Sequence, residues 1–275
     1  MSMKVSGLLV GLCVVMALPL TAGAGGRCAA GKYGCDMDGA ASRSRVGAAQ
    51  SAAKVVASPQ DYDPVPRIAP INSLPEGQTY GRWAAEWYQW AVGVPAATNP
   101  VLDTTGANCA QRQVDEVWFL AGSFSTDPVV RSCQVPAGKS LFFPLINTAY
   151  FAFLNDPLDT RTEEFVRAAG SCSQPVQISA SIDDFSVPRP ARFFTGASGS
   201  QSPFFNVQLP PGSLFASIDS LIPELALSPS AEQGYYLFVR PLRPGPHTLR
   251  WTASGCVPGL SQDITYHLTV VGNGG

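Results

Sequence analysis

The chain has 275 residues, of which 45% are hydrophobic and only 14% are charged, and its formal net charge is −2. From Asp61 onward acidic residues outnumber basic ones, which argues against nucleic-acid binding because that binding depends on neutralising phosphates. The 26 glycines and 24 prolines, with many Val, Phe and Thr residues, favour short strands over long helices.

The N-terminus has the pattern of a secretory signal peptide over residues 1–24. Lys4 supplies a positive start, an apolar run follows, and Ala22-Gly23-Ala24 matches the small-x-small site that signal peptidase cuts. No later stretch approaches the roughly 18 continuous apolar residues of a spanning helix. We therefore expect an exported mature chain, periplasmic or extracellular, without a transmembrane segment. Residues 25–70 are rich in Ala, Gly and Ser and predict a flexible arm before a body at 71–275.

The cysteines indicate disulfide bonds. Loss of Cys13 with the predicted signal leaves six of the seven cysteines, and an even number in an oxidising compartment is typical of a disulfide framework. The pairings we expect are Cys109–Cys133, Cys172–Cys256 and Cys28–Cys35. We expect no metal site, because Cys-x-x-Cys spacing is missing and only two histidines could assist.

The first element of the body is an amphipathic helix predicted over residues 79–92. Trp83, Trp87 and Trp90 recur at spacings of four and three, so they share one helix face. Such a stripe either packs a helix onto a sheet or lines a groove that stacks on sugar rings. Both interpretations stay open at the level of sequence.

Strand patterns dominate after this helix. The predicted strands cover residues 114–121, 131–135, 140–146, 176–182, 192–195, 204–209, 235–242, 247–252 and 264–271. Residues 213–222 predict a short helical turn. A second short helix is predicted at 161–169, because Thr160 and Glu163 form a capping-box pattern and Gly170 is a plausible stop.

The end of the chain favours a sandwich. The turn at residues 243–246 predicts a hairpin between the strands on either side of it. The last strand alternates apolar residues such as Ile264 and Leu268 with polar ones such as His267. We therefore predict a mainly β fold, an antiparallel β-sandwich of immunoglobulin-like or jelly-roll-like type with one tryptophan-rich helix and a second short helix.

Several short motifs extend from residue 78 to residue 271. The front motifs are Tyr80-Gly81-x-Trp83, Asn99-Pro100, Asp103-x-Thr105-Gly106-x-x-Cys109, Cys133-x-Val135-Pro136-Ala137-Gly138-Lys139 and Phe142-Phe143-Pro144-Leu145-Ile146-Asn147. The rear motifs are Ser202-Pro203-x-Phe205, Gly234-Tyr235-Tyr236, Pro244-Gly245-x-His247 and Thr265-Tyr266-His267-Leu268. Together they resemble an uncharacterised family of exported bacterial proteins, which implies a shared exported fold but no reaction or ligand. One departure follows Asn147, where the stretch 147–153 predicts an unusually apolar loop.

Candidate catalytic groups are few, because the familiar hydrolase, metalloprotease, phosphate-loop and dinucleotide motifs are missing. Glu86 lies beside the tryptophans, so it is expected to be partly desolvated and to pair with Arg82 or Arg131 or act as an acid. Lys139 lies in an apolar stretch and is a candidate for a buried ion pair or for catalysis. His247 follows a turn, where it either bonds to the backbone or serves as a base.

Two functions remain open from the sequence. The first is an exported, non-catalytic binding or interaction module for carbohydrate or an envelope protein, without a cofactor. Its candidate ligand-binding residues are Trp83, Trp87, Trp90, Asp103 and Asn147, and the apolar stretch 150–153 is an alternative protein contact. The second is a hydrolase or lyase acting on an extracellular polymer, in which Glu86 works with Arg131, Lys139, His247 or Asp103. This second function requires those groups to converge in one cleft.

Overall fold

The computed structural model describes residues 8–11, 67–113, 116–218 and 226–272. Most of the predicted signal peptide and flexible arm, including the Cys28–Cys35 pairing, therefore lies outside the described residues. The body's described contacts begin at residue 67, where Ile68 bridges Val239 and Ala69 is buried.

The described chain is mainly β, with ten strands and three α-helices. The strands are β1 (Leu8–Gly11), β2 (Val117–Phe119), β3 (Val129–Pro136), β4 (Ser140–Phe153), β5 (Gln174–Ile182), β6 (Phe185–Ser186), β7 (Phe205–Gln208), β8 (Ala226–Val239), β9 (Gly245–Cys256) and β10 (Ser261–Val271). The helices are α1 (Tyr80–Gly93), α2 (Glu163–Ala169) and α3 (Leu214–Ile218).

The strands form two sheets. In the first sheet the order is β1-β4-β8-β7, with β2 also paired to β4, and in the second it is β3-β10-β9-β5-β6. The prediction of purely antiparallel sheets is wrong, because β2 runs parallel to β4 and β3 runs parallel to β10. Parallel neighbours need a long crossover. The chain provides one by placing β3 in the opposite sheet between β2 and β4.

The predicted hairpin at the turn 243–246 is also wrong. β8 pairs with β4 and β7 in the first sheet, whereas β9 pairs with β10 and β5 in the second. The turn therefore carries the chain from one sheet to the other. A Pro-Gly turn is compatible with a hairpin and with a crossing between sheets, because it determines a change of chain direction and not the pairing partner of the next strand.

The predicted apolar loop after Asn147 is part of a strand. β4 runs on to Phe153, and all fourteen of its residues are buried. One side of the strand carries Phe142, which lies 5.9 Å from the ring of Tyr80 in α1, and the other carries Phe143, which stacks on Trp251 of β9 at 4.9 Å. A strand covered on both faces reads as a continuous apolar run.

The two predicted helices are present with shifted starts. Thr79 caps α1, since its hydroxyl accepts a hydrogen bond from the Arg82 amide at 3.2 Å. The second helix begins two residues later than predicted, because Thr162 and not Thr160 provides the capping oxygen, here to the Phe165 amide. Gly170 ends that helix as predicted.

Both predicted disulfides of the body are confirmed. Cys109 is bonded to Cys133 and Cys172 to Cys256. The first joins the loop after α1 to β3. The second joins the connection between α2 and β5 to the end of β9, beside the pairing of Gln174 with Cys256.

Candidate functional site

The tryptophans proposed as ligand-binding residues lie in the core. Trp83, Trp87 and Trp90 are between 1% and 7% exposed. Each indole N–H donates to a backbone carbonyl at 2.8–2.9 Å. The rings therefore pack α1 against the first sheet, and none of them presents a face on which a sugar could stack.

Glu86 lies at the edge of this helix face and is about one-third exposed. Its carboxylate is 3.7 Å from Nε of Arg82, one helical turn earlier, and accepts a hydrogen bond from Gln78 at 3.3 Å. The expected cation is thus Arg82 and not Arg131. A pair of this kind on a helix surface contributes only a few tenths of a kcal/mol, about 0.3–0.5.

Arg131 is 1% exposed and is held almost entirely by backbone. Its guanidinium donates to the carbonyl oxygens of Asp103 and Ala121 at 2.6 and 2.8 Å. It also donates to the Val101 carbonyl at 3.4 Å and to the Tyr266 hydroxyl at 3.0 Å. Arg131 therefore fastens the loop after α1 to the second sheet, and its donors are committed to that role.

The carboxylate of Asp103 organises a turn. It accepts hydrogen bonds from the amide and hydroxyl of Thr105 at 2.8 and 2.7 Å and from the Asn108 amide at 2.8 Å. Burial raises the pKa of Asp103, but these hydrogen bonds to the charged form outweigh it and leave the pKa below its usual value. Asp103 is thus committed to local structure.

His247 and Lys139 lie at two different turns. Nδ1 of His247 is 2.7 Å from a carboxylate oxygen of Asp183, and Nε2 is 2.8 Å from the carbonyl oxygen of Arg243. Both of these partners are hydrogen-bond acceptors, so each ring nitrogen lies against an acceptor. The nitrogen that a general base needs is occupied by the Arg243 carbonyl. Lys139 lies half-buried in the turn between β3 and β4.

Glu86, Arg131 and His247 each bond to a different set of residues, so the described contacts do not assemble them into one cleft. Asn147 is different, because it belongs to a buried polar cluster under α1. Its amide donates to the Tyr236 hydroxyl at 3.0 Å, and that hydroxyl donates to a carboxylate oxygen of Glu232 at 2.7 Å. All three side chains are fully buried.

The backbone of β8 is shaped to admit this cluster. Gly234 pairs with Asn147, and a Cβ at Gly234 would lie 2.5 Å from the Cβ of Asn147, closer than side chains approach. The Thr195 hydroxyl contacts the strand at the same position, since it accepts a hydrogen bond from the Gly234 amide at 3.0 Å and lies 3.3 Å from a carboxylate oxygen of Glu232. Position 234 therefore requires glycine, because a larger residue would collide with the Asn147 side chain.

Burial controls the charge of the cluster. It raises the pKa of Glu232 to about 7, although hydrogen bonds from Tyr236, Thr195 and Ser202 and the charge of Arg167 act in the opposite direction. Burial also holds the pKa of Tyr88 and Tyr236 well above the usual value, and the neighbouring Glu232 raises both further. Glu232 is therefore the group of the cluster whose charge changes near neutral pH.

Glu232→Gln is expected to flatten the dependence of stability on pH. The folded pKa of Glu232 lies above the unfolded value of about 4.3, so its stabilising contribution is complete below pH 4 and is lost as the pH rises to about 7. The loss amounts to about 4 kcal/mol, which glutamine avoids because it does not ionise. Urea unfolding at a series of pH values measures this difference. Parallel profiles for the two proteins would contradict it, and Glu86→Gln is the control carboxyl.

A second feature lies on the outer face of the second sheet. Between β5 and β9 there is a shallow depression of 390 Å³. It is lined by Gln177, Ile178, Ser179, Thr252, Ala253 and Ser254. The hydroxyls of Ser179 and Thr252 are 2.8 Å apart and hydrogen-bonded to each other. The lining offers amide and hydroxyl groups without a charged side chain.

The sequence interpretation missed Glu232 and the serine and threonine residues of the depression. Glu232 lies four and six positions before Tyr236 and Phe238. Residues an even number of positions apart share one face of a strand, so a strand that includes position 232 places Glu232 on the same inward face as those two rings. The depression carries no comparable signal, because polar residues at every second position are ordinary on the exposed face of a sheet.

Within the described residues, no three His, Cys, Asp or Glu side chains form a group that could hold a metal ion. Among the described helices, none has both the length and the apolar character that crossing a bilayer requires. No protein-family model matches the sequence, and no curated protein matches it either.

Proposed function

We propose that the protein is an exported, non-catalytic binding module for a neutral polyhydroxylated ligand, such as a carbohydrate of the cell envelope. The observation that carries this proposal is the depression between β5 and β9, whose polar lining is made of uncharged hydroxyl and amide groups. Such groups both donate and accept hydrogen bonds, as sugar hydroxyls do. A neutral lining also avoids the cost of desolvating a charge.

The position of the depression favours recognition. Its residues lie on two paired strands, with Ser179 opposite Thr252 and Gln177 opposite Ser254. Side chains on paired strands are held in fixed relative positions, so they bind a ligand with little loss of conformational entropy. The bond between the Ser179 and Thr252 hydroxyls orients one of them and leaves acceptor capacity on both.

The alternative hydrolase or lyase has weaker support. It requires an acid and a second charged group within hydrogen-bond reach of one substrate bond. Glu86 and His247 instead have separate partners, and Arg131 bonds to the backbone carbonyl of Asp103 while the Asp103 carboxylate holds its own turn. Glu232 has a pKa suited to acid–base chemistry, but its side chain is enclosed.

We also infer export and a sandwich architecture. The two disulfides and the signal pattern at residues 1–24 support passage into an oxidising compartment. The contact of Phe143 with Trp251 between the two sheets supports an immunoglobulin-like or jelly-roll-like sandwich. The motifs between residues 78 and 271 support membership of the exported bacterial family. Mass spectrometry of the protein recovered from the cell envelope tests export, with cleavage after Ala24 as the expected result. Such cleavage would remove β1, so the mature first sheet would consist of β2, β4, β7 and β8.

Glycan-array screening followed by calorimetry tests the binding proposal. Replacing Ser179 with Ala and Thr252 with Val should weaken glycan binding about tenfold or more, because two hydrogen-bonding groups of about 1 kcal/mol each are lost. Thr269→Val, on the same sheet face at β10, is the matched control and should leave affinity unchanged. If the protein bound no glycan but turned over a polymer, and did so equally when Ser179 and Thr252 are replaced, the hydrolase or lyase would be favoured instead.

A further inference from the structure

One edge of strand β4 is covered in part by a segment of the predicted signal peptide. β8 pairs with β4 along residues 141–153, so β1 and β2 both lie on the other side of β4. On that side β2 covers only residues 140–142, and β1 pairs antiparallel with residues 148–151. Cleavage after Ala24 removes β1, and residues 143–153 then have no neighbouring strand on that side among the described strands.

The edge left by this cleavage lacks the usual protection of an edge strand. Alternate residues of a strand direct their N–H and C=O groups to alternate sides, so residues 148–151 would leave about four backbone groups without a strand partner. Natural edge strands are protected by charged side chains, by prolines or by being short. β4 has fourteen residues, and from Leu145 to its end at Phe153 it contains neither a charged residue nor a proline. This part of β4 is therefore suited to accept a further strand.

The two faces of the sheet are already packed at this edge. On one face the ring of Phe151 contacts the ring of Tyr88 in α1, with centroids 5.7 Å apart. On the other face the ring of Tyr150 contacts the ring of Phe165 in α2 at 5.5 Å. A partner can therefore add here only as a strand in the plane of the sheet, paired through its backbone.

An apolar patch lies just beyond the end of this edge. Leu154, Leu158 and Phe165 are 50%, 79% and 39% exposed, and they are three of the seven large hydrophobic side chains exposed among the described residues. The Arg161 guanidinium donates to the Leu154 carbonyl at 2.8 Å, which ties this loop to the strand end. Exposed apolar patches mark contacts with other proteins. A strand paired antiparallel with residues 148–151 would extend its N-terminal end towards this patch.

We propose that the mature protein accepts an extended, apolar segment of a partner protein as an added strand on β4, antiparallel and in the register that β1 has along residues 148–151. The sequence of β1 indicates the chemistry of that segment, because Leu-Leu-Val-Gly is uncharged and apolar throughout. The inference rests on the cleavage and export proposed above. It is separate from glycan binding, since the depression lies on the other sheet.

The short length of the open edge favours a peptide segment over a second copy of the chain. β2 closes one end of the edge at residues 140–142, and the strand stops at Phe153. A single extended segment fits into such a gap on its own. A second copy pairing through the same edge would have to bring its own β2 along that edge.

Fluorescence anisotropy with a labelled peptide tests the proposal. The probe is a free peptide of residues 4–12 with two added lysines for solubility. It is titrated with protein recovered from the envelope and shown by mass spectrometry to begin after Ala24, and saturable one-to-one binding below about 1 mM is expected. Proline in place of both Leu9 and Val10 should weaken binding about tenfold or more, because one of two neighbouring residues donates its N–H to the partner strand and proline has none.

Hydrogen exchange of the same protein locates the bound peptide. The peptide should slow the exchange of backbone amides within residues 148–151 and leave β3 and β7 unchanged, which are matched controls because each is an edge strand of a sheet. The full chain of 275 residues, refolded under oxidising conditions, keeps β1. It should bind the peptide about tenfold more weakly, because its own segment occupies the edge at a high effective concentration.

Four results would overturn the proposal. If the cleaved protein bound no peptide, the acceptor edge would be wrong while export and glycan binding would be unaffected. An envelope protein that still carries residues 8–11 would keep the edge covered. Equal binding of the two peptides, or of the probe by the full and cleaved chains, would indicate apolar adhesion elsewhere. Protection of residues 148–151 without peptide, in a mature protein that is dimeric, would assign the edge to a second copy.

Discussion

Replacing Arg131 with Met is expected to lower the free energy of unfolding by about 3 to 6 kcal/mol. Methionine fills much of the same space but donates no hydrogen bond, so the carbonyl oxygens of Val101 and Asp103 lose the Arg131 donor and that of Ala121 keeps only the Tyr266 hydroxyl. Each unpaired buried acceptor costs about 1–3 kcal/mol, and removing one side of a buried charged network commonly costs about 3–5 kcal/mol. Urea denaturation measures the loss.

The control for this experiment is Arg250→Met. Arg250 lies on β9 of the same sheet, but its side chain is 55% exposed and pairs with Asp263 at 3.2 Å on the outer face. Exposed pairs contribute about 0–1 kcal/mol, so the control should change stability little. Equal losses for the two arginines would mean that the buried bonds of Arg131 do not hold the loop to the sheet.

Removing the bond between Cys172 and Cys256 is expected to cost about 4.5 kcal/mol. The two residues are 84 positions apart, and the entropy that a cross-link removes from the unfolded chain grows with the length of the closed loop. The bond also joins the connection after α2 to the end of β9. The double variant Cys172→Ala, Cys256→Ala, compared with the native protein by urea unfolding under oxidising conditions, gives the value.

The other disulfide offers a matched comparison. Cys109 and Cys133 are 24 positions apart, so the double variant Cys109→Ala, Cys133→Ala should cost about 3.5 kcal/mol. The expected result is therefore an order, with the longer loop costing about 1 kcal/mol more. The reverse order would show that local packing around the bonds outweighs loop entropy.

The sequence predicts the elements that local spacing controls. The tryptophan spacing places α1 within one residue of its observed ends, and the alternation from Ile264 to Val270 gives the inward face of β10. The even number of cysteines, together with the expected oxidising compartment, predicts disulfide bonds, and both expected pairings of the body are present. In each case the information lies in residues whose spacing or chemistry leaves few alternatives.

The remaining differences come from contacts between distant segments. The turn at 243–246 looks like a hairpin turn, yet β8 and β9 enter different sheets because each finds its partners far away in the chain. The apolar stretch after Asn147 becomes the buried centre of a sheet only because α1 and β9 cover it. No local pattern contains that information.

The buried polar cluster is partly predictable from the sequence. A motif points to Asn147, and the structure places it beside Tyr236 and Glu232. Glu232 was missed because the sequence predicted a strand beginning at Tyr235, whereas β8 begins at Ala226. Gly234 looks like a strand terminus but is instead the position at which the sheet admits the Asn147 side chain.

The pairing of β3 with β10 has a consequence for how the molecule reaches its folded form. Val129 is joined to Ile264, so the second sheet closes only after the chain through residue 271 is available. Such distant pairing makes folding slow. A newly made chain would therefore leave this edge of β3 unpaired until β10 has been synthesised, and that interval suits the export proposed above.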